Sequence, residues 1–129
     1  SKLREAVVRD LSWLLNTNNY PWQDELEPYP EVRESVINYG LRDVRGTGAT
    51  TSTLSELRRL ISSAIERFEP RIVAGSLRVE PIEEEEAGRA PTQLAFEIDC
   101  EIWAQPVPDP LYLKTEVDLE TGLCNVEKL

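Results

Sequence analysis

The apolar residues of this chain change period once, at Pro70, and that switch limits the folds open to it. Upstream, Leu54, Leu57, Ile61, Ala64, Ile65 and Phe68 recur at steps of three and four, the spacing of one helical face. Downstream, Leu94, Phe96, Ile98, Cys100 and Ile102 alternate with Ala95, Glu97, Asp99, Glu101 and Trp103, the pattern of a half-buried antiparallel strand. Pro70 enforces the boundary, because it has no backbone donor and disfavours helical geometry at Glu69. Helices first and strands second predict an α+β fold, with about three N-terminal helices packed on one face of a small antiparallel sheet of three to four strands. The 129 residues are expected to form a single domain, helical over about 1–69 and sheet over about 70–129.

Leu3, Val7, Leu11 and Leu14, with Ala6 and Leu15 beside them, predict a first helix over 3–15, stopped by Asn16, Thr17, Asn18 and Asn19. The stretch 20–30 reads as a loop held to the body by Trp22, Leu26 and Tyr29. Pro30 suits the first turn of a second helix over 31–39, with Val32, Val36 and Tyr39 on one side and Gly40 as a left-handed C-cap. Residues 42–52, rich in Gly, Thr and Ser, read as a mobile loop. Thr53 and Glu56 form a capping-box pattern at the start of the third helix. Beyond Pro70, Ile72, Leu77 and Val79 mark a first strand, and the acidic segment 83–91 joins it to the strand at 94–102. Leu111, Leu113, Thr115, Val117 and Leu119 alternate again, and Thr121-Gly122 turns the chain into a short last strand around 123–126.

Charge divides along the same boundary. Residues 1–30 carry three basic and five acidic groups, residues 31–79 eight and six, and residues 80–129 three and thirteen, which sum to the net −10 of the whole chain. Such a balance opposes nucleic acid and anionic membrane surfaces, both of which need a basic face. The run Glu83 to Glu86 reads as a solvated loop. Glu97, Asp99 and Glu101 would point away from the helices, with Lys114, Glu116 and Asp118 on the same outer face, so a basic partner or plain solvation accounts for that surface.

The residue inventory excludes much catalytic chemistry. With no His, a serine or cysteine triad of the ordinary kind and a structural zinc site are both out of reach, and Cys100 and Cys124 read as two reduced thiols of a cytoplasmic protein. Gly46-Thr47-Gly48 lacks the Lys-Ser/Thr of a phosphate loop. No catalytic residue, metal or cofactor is expected. A glycosidase needs only two carboxylates across a cleft, so a muramidase-like peptidoglycan hydrolase is the alternative reading. No apolar run approaches a membrane span, and no signal-peptide core is present. The chain contains no Met, so the natural protein is expected to begin upstream of Ser1.

One short segment stands out. Glu69 ends the third helix, where the macrodipole disfavours an anion, and Pro70 and a bidentate-capable Arg71 follow it. Two readings are open: a local ion pair that closes the helix, or a rigid charged element presented to another subunit.

Phe68-Glu69-Pro70-Arg71 after an amphipathic helix, preceded by Asp10-Leu11-Ser12-Trp13-Leu14-Leu15-Asn16-Thr17 and by Ser35-Val36-Ile37-Asn38-Tyr39-Gly40-Leu41, resembles the TssE subunits of type VI secretion baseplates. These belong with the small phage-tail baseplate wedge proteins whose older descriptions say lysozyme-like. The resemblance runs over nearly the whole chain, to Asp118-Leu119-Glu120-Thr121-Gly122. It implies a non-enzymatic component of a contractile injection machine, assembled at the cytoplasmic side of the secretion membrane complex. The implied partners are other wedge subunits and sheath proteins, with no nucleic acid, membrane insertion or small-molecule substrate. It also implies that Glu69, Pro70 and Arg71 bind neighbouring wedge subunits, and that a sheet edge near the last hairpin gives the first sheath subunits a template.

Overall fold

The computed structural model describes residues 2–48, 50–82, 92–104 and 106–129, with the side chain of Thr51 left aside. The acidic run Glu83 to Glu86 and the connection expected over 83–91 lie outside the described residues. Helix α1 (Lys2–Asn16) is followed by two single-turn helices, α2 (Gln23–Leu26) and α3 (Pro30–Arg33), a 3-10 turn at Val36–Asn38, and the long helix α4 (Thr51–Phe68). Strands β1 (Arg78–Pro81), β2 (Gln93–Ile102), β3 (Asp109–Asp118) and β4 (Cys124–Lys128) form one antiparallel sheet in the order β1-β2-β3-β4. The fold is α+β, with the long helices on one face of the sheet.

Helical spacing places Val7, Leu11, Leu14 and Leu15 of α1 and Leu57, Ile61, Ala64 and Ile65 of α4 in the core. They meet the inner residues of the sheet, chiefly Val79, Phe96, Ile98, Cys100, Ile102, Leu111, Leu113 and Val117. Each large side chain buried this way stabilises the fold by about 1.5–3 kcal/mol. α1 lies against β4 and α4 against β1, so the helices cover the two flanks of the sheet. Cys100 and Cys124 are free, buried thiols. Burial first, then the nearby Asp99 and Glu69 carboxylates, pushes Cys100 up to about 11, and burial alone pushes Cys124 up to about 11.

The strand register sets Glu97 opposite Lys114, Asp99 opposite Arg78 and Tyr112, and Glu116 opposite Asn125. The outer face is therefore acidic, relieved by Arg78 and by Lys114, which pairs with Glu116 at 3.2 Å.

Five expectations need correction, the last of them at Gly40. The second helix stops at Arg33: Ser35 Oγ donates to the Val32 carbonyl at 2.7 Å and Asn38 Nδ2 donates to the Arg33 carbonyl at 2.8 Å. These side chains take the carbonyls that a continuing helix would use, and Val36 is left 83% exposed. The stretch 20–30 contains α2; Leu26 is buried there, whereas Trp22 and Tyr29 are exposed. The cap of α4 is Thr50, whose Oγ1 accepts from Thr53 N at 3.1 Å, three residues before the expected cap. The loop after Gly40 is anchored: Val44 is buried, Gly46 N donates to the Leu119 carbonyl at 3.0 Å, and Asp43 clamps Arg45 beside Gly122.

Gly40 serves a close approach instead of a helix cap. Its φ is +123°, and the next residue, Leu41, bridges to the chain just after α1, with Leu41 N on the Thr17 carbonyl at 2.7 Å and Asn19 N on the Leu41 carbonyl at 3.0 Å. A Cβ there would sit 2.3 Å from the Thr17 carbonyl oxygen. Gly40→Ala should cost at least about 2 kcal/mol, whereas Gly75→Ala, at positive φ in open space, should cost about 1–2 kcal/mol. Urea unfolding midpoints of the two variants check the order.

Candidate functional site

Where α4 ends, Glu69 N still donates to the Ile65 carbonyl at 3.0 Å, and the chain then leaves helical geometry at φ −122°, ψ 84°. Glu69 is 5% exposed, although it carries a carboxylate at the negative end of a helix dipole. Its compensation comes from two residues on. Arg71 donates to Glu69 Oε1 through its backbone N at 3.1 Å and its Nε at 2.6 Å, and to Oε2 through Nη2 at 2.7 Å. Pro70 makes this ring compact, since its fixed φ turns Arg71 back toward the carboxylate.

The same Nη2 donates to Asp10 Oδ2 on α1 at 2.6 Å. Arg9 Nε adds a bond to Asp10 Oδ1 at 3.1 Å, and its guanidinium lies 5.6 Å from the centre of the exposed Trp13 ring. The Glu69 bond, then the Asp10 bond, holds the Arg71 guanidinium above its ordinary range against the effect of burial. The Arg71 bond, then the Arg9 bond, holds Asp10 below its ordinary 3.8. On the backbone side, the Arg71 carbonyl accepts from Trp103 N at 2.9 Å, and Ile72 bridges to Ile102. One residue thus joins α1, the end of α4 and the end of β2.

Exposed Pro70 stands between two depressions. One, of about 350 Å³, is lined by Asp10, Leu14, Tyr39, Phe68 and the corner itself, with Tyr39 edge-on to Phe68 at 5.4 Å. Burial, then the nearby Asp10 and Glu69 carboxylates, raises the Tyr39 hydroxyl above its ordinary 10.0. The other, of about 490 Å³, is mostly apolar, with Ile72, Val73, Leu77 and the half-exposed Trp103 among its walls.

The three residues singled out in the sequence are together, and Asp10 is the member sequence reasoning missed. It is 61 positions away from Arg71, and no local pattern links them. Among the described residues no group of three or more acidic or Cys side chains is arranged to hold a metal, and no helix is long and apolar enough to cross a membrane.

The buried Glu69 carboxylate depends on the guanidinium. Arg71→Met should destabilise the protein by about 2–4 kcal/mol, and Glu69→Gln combined with it should recover part of the loss, as read by urea unfolding. Asp10 binds its proton at lower pH in the folded than in the unfolded chain, so its contribution is complete well above 3.8 and fades as pH falls through the folded value. The stability gap between wild type and Asp10→Asn should therefore be smaller at about pH 3 than at about pH 7.

The family model described as "Baseplate wedge protein gp25" matches residues 1–107. No curated protein and no solved structure matches the chain.

Proposed function

The chain belongs to the baseplate wedge protein gp25 family, and we propose from that premise that it is a TssE-type subunit of a type VI secretion baseplate. In this reading it binds other wedge subunits through the Glu69-Pro70-Arg71 corner and offers sheath proteins a strand to pair with. It works without catalysis at the cytoplasmic side of the secretion membrane complex.

The observation that carries the reading is the inequality of the two sheet edges. Leu123 and Leu129 bond to β3 through the Asp118 N and Tyr112 carbonyl contacts, so the alternate residues Cys124, Val126 and Lys128 turn their main chain outward. Asn16 satisfies Cys124, with Oδ1 accepting from its N at 2.7 Å and Nδ2 donating to its carbonyl at 2.8 Å. Val126 and Lys128 have no main-chain partner of this kind among the described residues. β1 is blunted by comparison. Ile82 N bonds to the Ala95 carbonyl, so the main chain of Val79 and Pro81 faces the edge, and proline has no N–H to offer. An added strand therefore finds its donors on β4.

The corner suits docking for a separate reason. Glu69 and Arg71 satisfy each other, so what meets a partner is exposed Pro70, one-third-exposed Arg71 and the two flanking depressions, held in fixed geometry. The muramidase reading draws no support from the carboxylates. Glu56, in the groove beside α4, is held below its ordinary range by Arg59, then Arg42, whereas a general acid needs the opposite shift.

In cells assembling the machine, Arg71→Glu should abolish co-purification with wedge subunits. Val126→Pro should keep that co-purification and block sheath polymerisation, because it removes an outward donor without touching the β3 ladder. Normal assembly in both variants, with folding verified by circular dichroism, would show the assignment to be wrong.

A further inference from the structure

A groove of about 400 Å³ runs between α4 and the segment of α2, α3 and the 3-10 turn; it shares Phe68 with the depression beside the corner and contains none of Glu69, Pro70, Arg71 or β4. Along α4, Leu60, Ala64 and Phe68 form one wall stripe, and Arg59, Ser63 and Arg67 form a second beside it. Each stripe has a step of four residues, so its ends lie about 12 Å apart. Arg33 and Arg42 complete a set of four guanidinium groups, facing the carboxylates of Asp24, Glu27 and Glu56.

Those charges are not equally engaged. Glu56 accepts from Arg59 at 2.7 Å and lies 3.9 Å from Arg42, so these two arginines share one acid. Arg33 and Arg67 have no carboxylate partner among the described residues. The Nε of Arg33 is shut off from water with no acceptor. Arg33 thus keeps donor capacity that its own surroundings do not use, on a partly exposed side chain that lines the groove. The position of Arg33 is built in, since its carbonyl accepts from the buried Asn38 side chain, which Gln23 holds in turn.

We propose that this groove binds an acidic amphipathic segment of a partner protein, with carboxylates on Arg33 and Arg67 and apolar side chains on the Leu60–Ala64–Phe68 stripe. Charge complementarity selects the occupant. The groove concentrates arginine in a chain of net charge −10. A continuous phosphate backbone cannot avoid the carboxylates of Asp24 and Glu27 in the lining, whereas carboxylates spaced along a protein segment can.

The test titrates the purified protein with a synthetic amphipathic helix of Glu, Leu and Ala, a matched peptide with Lys for Glu, and an oligothymidylate strand, by calorimetry. The Glu peptide should bind saturably and weaken as salt rises. Arg33→Gln with Arg67→Gln should reduce its affinity at least about tenfold, and Arg58→Gln, on α4 outside the groove, should leave it unchanged. The far-ultraviolet spectrum of each variant should match wild type. Absence of saturable Glu-peptide binding, equal binding of the Lys peptide, equal loss in Arg58→Gln, or tighter binding of the oligothymidylate at the same arginines would each overturn the proposal. These readouts use the isolated protein, so their failure leaves the baseplate reading standing, and the reverse also holds.

Discussion

A single residue, Arg71, holds α1, the end of α4 and the end of β2 at one point, the first two through its guanidinium and the third through its backbone carbonyl. The rest of the architecture depends on that junction because the two layers meet there at a chain reversal, with a buried carboxylate at the unfavourable end of a helix dipole. Without the arginine, the desolvation of Glu69 would be uncompensated. With it, the fork geometry of the guanidinium satisfies both carboxylate oxygens and still reaches Asp10. An ammonium in its place would have one nitrogen to serve positions spread over two elements. The stiffness of the corner is what gives the depressions on either side of Pro70 a definite shape.

The layered fold also sorts charge. Alternation along β1 to β4 sends most acidic side chains to the face opposite the helices, while the groove beside α4 gathers arginines from elements widely separated in sequence. An assembly protein with several neighbours benefits from such a division, since surfaces of opposite character discriminate among partners by repulsion as well as attraction. The β4 edge differs from both in kind: the outward main chain of Val126 and Lys128 is directional, and side-chain identity matters less there.

The fold class is legible because the two periodicities are strong: α1, α4, β2 and β3 follow from the spacing of their apolar residues, with Phe96 and Cys100 completing the alternation of β2. The intervening stretch was harder. A helix of one turn, such as α2, is too short to display a period. The break after Arg33 depends on Ser35 and Asn38 bonding to backbone carbonyls, a competition that hydrophobic spacing does not report. α4 is capped three residues before the capping-box pattern at Thr53, because Thr50, Thr51, Ser52 and Thr53 are all competent caps. Composition reads 42–52 as a mobile loop, yet one buried Val44 and one bond to Leu119 tie its first part to the sheet, and Thr51 and Ser52 already belong to α4.

For the corner, the sequence by itself determined that Glu69, Pro70 and Arg71 would lie where helix gives way to strand, since proline's missing donor and restricted neighbour act locally. The bidentate closure between Glu69 and Arg71 is also local, two residues apart. Only the tertiary structure decided that Asp10 would join them, that Gly40 would press against Thr17, and that β4 instead of β1 would keep an open edge. These are consequences of packing α1 and α4 across one sheet. Contacts between residues distant along the chain are fixed by burial of a shared core, and no local pattern encodes which side chains that burial will bring face to face.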